Sequence, residues 1–100
     1  MSKTFDGYRF RPAAEADLEL IWLYGYQLWS AAQADRYIIN LYAILDDLVA
    51  LRIKGRDAAG FPGYLKYPVG SHMIYFKPSG FIDIVRILHQ SMDVEKHLPE

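Results

Sequence analysis

VGSHMIYFKPSGFIDIVRILHQSMD, residues 69–93, decides the fold. Ser71 to Lys77 and Phe81 to His89 are rich in β-branched and aromatic residues, and Pro78-Ser79-Gly80 between them has the chemistry of a tight turn. The second run, FIDIVRILH, is apolar on both faces except at Asp83 and Arg86, which predicts a central or well-covered strand with one partly open end. Immediately upstream, Gly63 to Pro68 followed by Val69-Gly70 predicts a third strand and its turn. Connections this short produce an antiparallel meander of three strands. Gln90 to Glu100 reads as a polar exit with room for one helical turn.

Toward the N-terminus the period changes. Tyr8 to Arg11 alternates and is stopped by Pro12, the pattern of an edge strand. From Ala13 onward Leu18, Ile21, Trp22, Gly25, Leu28 and Trp29 recur at spacings of three and four, predicting a helix that turns this stripe inward. Glu15, Asp17 and Glu19 fall in its first turns, where negative charge complements the helix dipole. Ser30 followed by Gln33 has the spacing of a capping box and predicts the start of a second helix, with Ala34, Tyr37, Ile38, Leu41, Leu45 and Leu48 inward. The minimal connection makes the pair an antiparallel hairpin covering one sheet. Arg52 to Pro62 loses periodicity and gathers Gly55, Gly60 and Pro62, so it reads as a loop. The expected class is α+β: a short N-terminal strand, a two-helix hairpin, then the meander, in a single domain spanning residues 1–100.

Composition bounds what such a domain does. A chain of 100 residues buries only about two-thirds of its unfolded surface, and 52% hydrophobic with 15% aromatic residues gives it the material for a packed core. The absence of cysteine removes disulfides, thiolate metal sites and a cysteine nucleophile, and suits a reducing compartment. No stretch approaches the roughly 18 apolar residues of a membrane span, so the expectation is a soluble cytoplasmic protein. Net charge is −1, but unevenly spread: residues 52–89 hold six basic and two acidic side chains, which allows a local attraction to nucleic acid.

Few residues group into recognisable chemistry. Neither GxGxxG nor GxxxxGK[ST] is present, and His72, His89 and His97 lack the spacing of metal ligands, so no cofactor or metal is expected. Ser71, His89 and Asp93 lack the elbow and oxyanion site of a hydrolase. RNA cleavage by an attacking 2′-hydroxyl needs a base, a cation for the phosphorane and an acid. Arg56, Lys66, Arg86 and His89 are the candidates. Against this stands a structural reading, in which Arg86 pairs with a carboxylate or phosphate-like partner at the strand edge and His89 hydrogen-bonds the exit segment. On the helices, Leu20, Leu23, Tyr24 and Ile39 fall opposite the inward stripes, with Tyr42 and Val49 at the margin. An outer apolar face of that kind marks a partner, unless the N-terminal strand or the exit segment covers it.

GYLKYPVGSHMIYF and IVRILHQSMDVEKHL, in this order, resemble the ParE family of bacterial toxins within the RelE/ParE superfamily. YRFRPAAEADLELIWLY is similar to its opening strand and first helix, QADRYIINL to its second helix, and Gly55-Arg56 to the Gly-Arg of its central loop. The resemblance implies the toxin of a type II toxin-antitoxin module that inhibits DNA gyrase by binding and is not an enzyme. It would be neutralised by a cognate ParD-like antitoxin and meet operator DNA only through it. The antitoxin would dock on Leu20, Leu23, Tyr24, Ile39 and Tyr42, while Arg56, Lys66, Arg86, His89 and Met92 would meet the target. Three positions depart from the family: no proline precedes Gly55-Arg56, Ser30 follows the tryptophan in place of glycine, and Leu65 stands where a basic residue is common. The exit also lacks the tyrosine that endonuclease relatives often carry. A ribosome-dependent mRNA endonuclease and a degenerate, non-toxic antitoxin-binding relative are the alternatives.

Overall fold

A computed structural model describes residues 4–98. Tyr8–Phe10 (β1) leads into helix α1, Pro12–Leu28, and helix α2, Ala31–Val49. Strands β2 (Arg56–Asp57), β3 (Leu65–Val69), β4 (His72–Pro78) and β5 (Ile82–His89) follow, and a single 3-10 turn at Val94–Lys96 lies in the exit. The sheet order is β1-β5-β4-β3-β2. The meander is β3-β4-β5, antiparallel throughout, and β1 adds to β5 in parallel at the edge. This is the α+β class expected, with one strand more. β2 lies within the segment read as a loop: it is two residues long and acquires strand character only by pairing with Leu65 and Lys66.

The double-sided hydrophobicity of β5 has a direct cause. Ile82, Ile84 and Ile87 pack with Ile74 and Phe76 against Ala14, Leu41, Leu45 and Leu48 of the helices. Val85 and Leu88 pack on the other face with Tyr75, Ala58 and Leu98. The loop and the exit segment therefore each supply a residue to a second, smaller core. Burial of each large aliphatic side chain contributes about 2 kcal/mol against the entropy of ordering the chain.

Local chemistry sets the helix ends. Pro12 occupies the first turn of α1, where its missing N–H costs nothing. Ser30 Oγ accepts from Gln33 N–H at 3.1 Å, half of the expected box, while the Gln33 amide oxygen is turned to Arg36. Between the helices Gly25 is buried against Ala34, and a Cβ on it would lie 3.4 Å from that of Ala34, close to an ordinary van der Waals contact. α2 ends with Leu51 N–H on Leu48 C=O and Arg52 N–H on Asp47 C=O, the paired bonds of a Schellman motif. Its left-handed position is held by Leu51 at φ 60° in place of the usual glycine, at a cost of about 1 kcal/mol. Leu51 lines an apolar hollow with Leu48, Ile53 and Phe76, which gives the side chain a purpose there.

Two assignments along α1 change. Leu28 and Trp29, read as the end of the inward stripe, are exposed. Asp17, read only as an acid complementing the helix dipole, is buried.

Candidate partner-binding cleft

Asp17 is buried because it completes a sheet edge. β1 makes its last bond to β5 through Arg11 N–H and Ile84 C=O, at 2.9 Å. A β-bulge in β5, opposite Tyr75 and Phe76, then shifts the strand so that Ile87 N–H turns to the vacated edge. Asp17 of α1 fills the gap: its Oδ2 accepts from Ile87 N–H at 2.9 Å and from Arg86 Nε at 2.7 Å, and its Oδ1 from Arg86 Nη2 at 2.8 Å. Arg86 thus meets a carboxylate at the strand edge. His89 likewise turns to the exit segment, with Ser91 N–H donating to its Nδ1 at 3.1 Å.

The candidate cations lie on one row. Arg56 pairs with Lys66, Lys66 with Tyr75 and Tyr75 with Arg86, across four neighbouring strands. Paired residues share a sheet face. Arg56 is exposed and Lys66 half-buried. Burial pushes the Tyr75 phenol above its ordinary value, so it stays neutral at physiological pH. His89 is at the far end of β5 and belongs to a different neighbourhood.

That neighbourhood is a cleft of about 430 Å³ between α1 and the end of the β4-β5 ladder. Leu20, Leu23 and Tyr24, with Ile21 and Gln27, form its helical wall. His72, His89, Ser91 and Met92 form the other. The antitoxin candidates of α1 are therefore gathered with two of the target candidates, His89 and Met92. Leu20 is 64% exposed and Tyr24 60%, a large apolar surface that no segment among the described residues covers. The two α2 candidates are not part of it. Ile39 is 65% exposed and does not line the cleft, and Tyr42 packs its ring against Tyr8 and Phe10 of β1.

The polar floor of the cleft is organised by Tyr37, which sequence periodicity placed in a core stripe. Its hydroxyl donates to Val69 C=O at 2.9 Å, accepts from Ser71 N–H at 3.1 Å and lies 2.8 Å from His72 Nδ1. Gly70, at φ 54°, completes the seat: a Cβ there would stand 2.4 Å from the Tyr37 oxygen. Gly70-Ser71-His72 is thus the receptor for one phenol. Burial, and then the neighbouring His89 imidazole, push the His72 pKa below its usual value, against an opposing pull from Asp17. The two imidazoles meet edge to face at 5.3 Å between centroids. Tyr37, His72 and Ser91 were missed as site residues because their association spans tens of residues; the adjacency of Gly70, Ser71 and His72 was the one signal available. Among the described residues no group of three or more His, Asp or Glu is placed to hold a metal ion, and no helix is long and apolar enough to cross a membrane.

Known proteins resemble this chain closely. Residues 8–94 match the family described as the ParE toxin of type II toxin-antitoxin system, parDE. Toxin ParE1 of Mycobacterium tuberculosis is 40% identical over 94 residues, covering 91% of this chain and 96% of the relative. Toxin ParE1 of Caulobacter vibrioides is 34% identical over 92 residues, with 91% and 96% covered. A chain of the chromosomal ParDE TA system from P. aeruginosa superposes with a TM-score of 0.71 at 22% identity, covering 83% of this chain and 94% of that one, a likeness of fold. With the family matched across nearly every element just described, the chain belongs to the ParE toxins of type II toxin-antitoxin systems.

Proposed function

We propose that this ParE toxin acts in the cytoplasm by binding and inhibiting DNA gyrase, without a cofactor, and is neutralised by a ParD-like antitoxin seated in the α1 cleft. The observation that carries the antitoxin half is the uncovered apolar wall of Leu20, Leu23 and Tyr24 facing Met92. A disordered antitoxin tail that folds on docking would bury that wall and release water from it. Action by binding is supported by the ties on the acid-base candidates: Arg86 is bound by Asp17, and His89 is bound by Ser91 at the far end of β5, away from the row that holds Arg56, Lys66 and Arg86. A supercoiling assay with purified gyrase tests the target. Excess toxin is expected to block supercoiling or trap cleaved DNA, and stoichiometric antitoxin to reverse the effect; unaltered gyrase activity at excess toxin rejects it.

One observation favours a second reading. The row of Arg56, Lys66 and Tyr75 across β2, β3 and β4 could follow a phosphate backbone, as a ribosome-dependent mRNA endonuclease requires. That reading predicts transcript cleavage and translation arrest on induction, whereas gyrase poisoning leaves early translation running. Growth without arrest in the absence of antitoxin would point instead to a non-toxic relative.

A further inference from the structure

The exit segment begins on one face of the sheet and ends on the other. Ser91 and Met92 line the cleft on the helical side. Leu98, in contrast, is buried in the second core with Tyr75, Val85, Leu88 and Ala58, and Val94 packs against the same cluster. That face also carries the cations, because Tyr75 is the register partner of Lys66, and Lys66 of Arg56. The bonding of the segment is local. Gln90 N–H still donates to Ser71 C=O, at 2.9 Å, as a last rung beyond β5. From Ser91 onward every hydrogen bond among the described residues stays within residues 89–98: the N–H groups of Ser91 and Met92 return to His89, those of Glu95 and Lys96 to Asp93, and those of His97 and Leu98 to Val94. The contacts that hold the segment across the sheet are the apolar side chains of Val94 and Leu98.

We propose that residues 91–98 are a releasable strap over the cation-bearing face of the sheet, and that an antitoxin seated in the cleft, against Ser91 and Met92, holds the strap closed. The second half rests on the cleft being the antitoxin's seat. An attachment made by two apolar side chains, with no hydrogen-bonded ladder to the sheet, opens at far lower cost than the fold as a whole. Opening uncovers Val85, Leu88 and Tyr75 beside Lys66 and Arg56, an apolar strip bordered by cations. The closed strap fixes Ser91 and Met92 as a wall of the cleft. A partner bound against that wall favours the closed form over the open one and draws the equilibrium toward it. The antitoxin thereby governs the far face of the sheet without touching it.

The chain has no cysteine, so a single introduced thiol reads the opening. Val85→Cys places it under the strap and Ile74→Cys places it in the first core, both at fully buried positions. Leu88→Cys takes the place of Val85→Cys if thermal melting shows that variant misfolded. Modification by an aromatic disulfide reagent is followed by the mass of the toxin, in urea up to about 1 M. Val85→Cys is expected to react at least roughly tenfold faster than Ile74→Cys and with little dependence on urea, since a local opening exposes little surface. Leu98→Ala should speed it by roughly another tenfold or more. Equal rates with equal urea dependence, or no response to Leu98→Ala, overturn the strap. Saturating cognate antitoxin should slow modification of Val85→Cys at least roughly tenfold, and Met92→Ala should cancel most of that slowing. Slowing that survives Met92→Ala means that the antitoxin covers the far face itself, and unchanged modification in a complex whose affinity falls with Leu20→Glu means that the cleft does not grip the strap; either overturns the coupling while the seat stands. Antitoxin affinity indifferent to Leu20→Glu overturns the seat and the coupling with it, and the rates of the free toxin then decide the strap alone.

Discussion

Asp17 Oδ2 receives both Arg86 Nε, at 2.7 Å, and Ile87 N–H, at 2.9 Å, so one helical carboxylate closes the edge of β5 beyond the end of β1. Removing it strips a largely buried guanidinium of this partner and orphans a backbone N–H in one step. Asp17→Ala is expected to cost about 3 kcal/mol of folding stability, measured by urea denaturation. Arg86→Met should cost less, because Asp17 retains Ile87 N–H. If the two substitutions are equally harmful, the backbone bond contributes nothing and the edge-closing role is wrong.

Gly70 carries two constraints at once, a left-handed backbone and a hydroxyl that a Cβ would meet at 2.4 Å. Gly70→Ala should destabilise the fold by about 3 kcal/mol, combining backbone strain with overpacking against Tyr37. In a Tyr37→Ala background the packing part disappears and only the strain remains. A double-mutant cycle reads the difference; strict additivity would mean that Tyr37 does not press on the turn.

The same pair shows what a sequence reveals and what it hides. FIDIVRILH announces a strand covered on both faces because alternation and its suspension are local signals, and β5 is such a strand. The apolar exposure of Leu20, Leu23, Tyr24 and Ile39 is legible for the same reason, since helical period alone assigns a face. Period does not say how far along a helix its partner extends, so Leu28 and Trp29 continue the stripe into solvent. Nor does it identify a buried carboxylate: Asp17, near the start of α1, looks like any dipole-complementing acid until Arg86, 69 residues away, is placed beside it. β2 fails on different grounds. Two residues, Arg56 and Asp57, have no period, and only the register with β3 makes them a strand. The cleft floor is of this second kind, a hydroxyl of α2 meeting an imidazole of β4 35 residues on.

His72 makes stability depend on pH. Packed against it are Tyr37 of α2 and His89 of β5; burial and then the His89 imidazole lower its pKa below the ordinary value of 6.5, against an opposing pull from Asp17 of α1. Between the folded and unfolded pKa values the unfolded chain binds the extra proton. Stability is therefore full above about pH 6.5 and declines as pH falls toward the folded value. Urea midpoints of wild type should drop between pH 7.5 and pH 5.5 by more than those of His72→Phe. Identical drops would place the titration elsewhere.

The two α2 candidates lie apart from the cleft, and that separation makes the docking surface testable. Leu20→Glu places a charge on the helical wall at a position 64% exposed, so folding should be nearly unaffected while antitoxin binding weakens by a hundredfold or more, about 3 kcal/mol. Ile39→Glu introduces the same charge at a position 65% exposed that does not line the cleft. If the cleft is the principal seat, its effect should be at least tenfold smaller. Calorimetric titration with the cognate antitoxin, alongside thermal melting of each variant, separates the two. Equal losses of affinity would mean that the antitoxin wraps both helices with comparable contact, and the seat would have to be extended across α2.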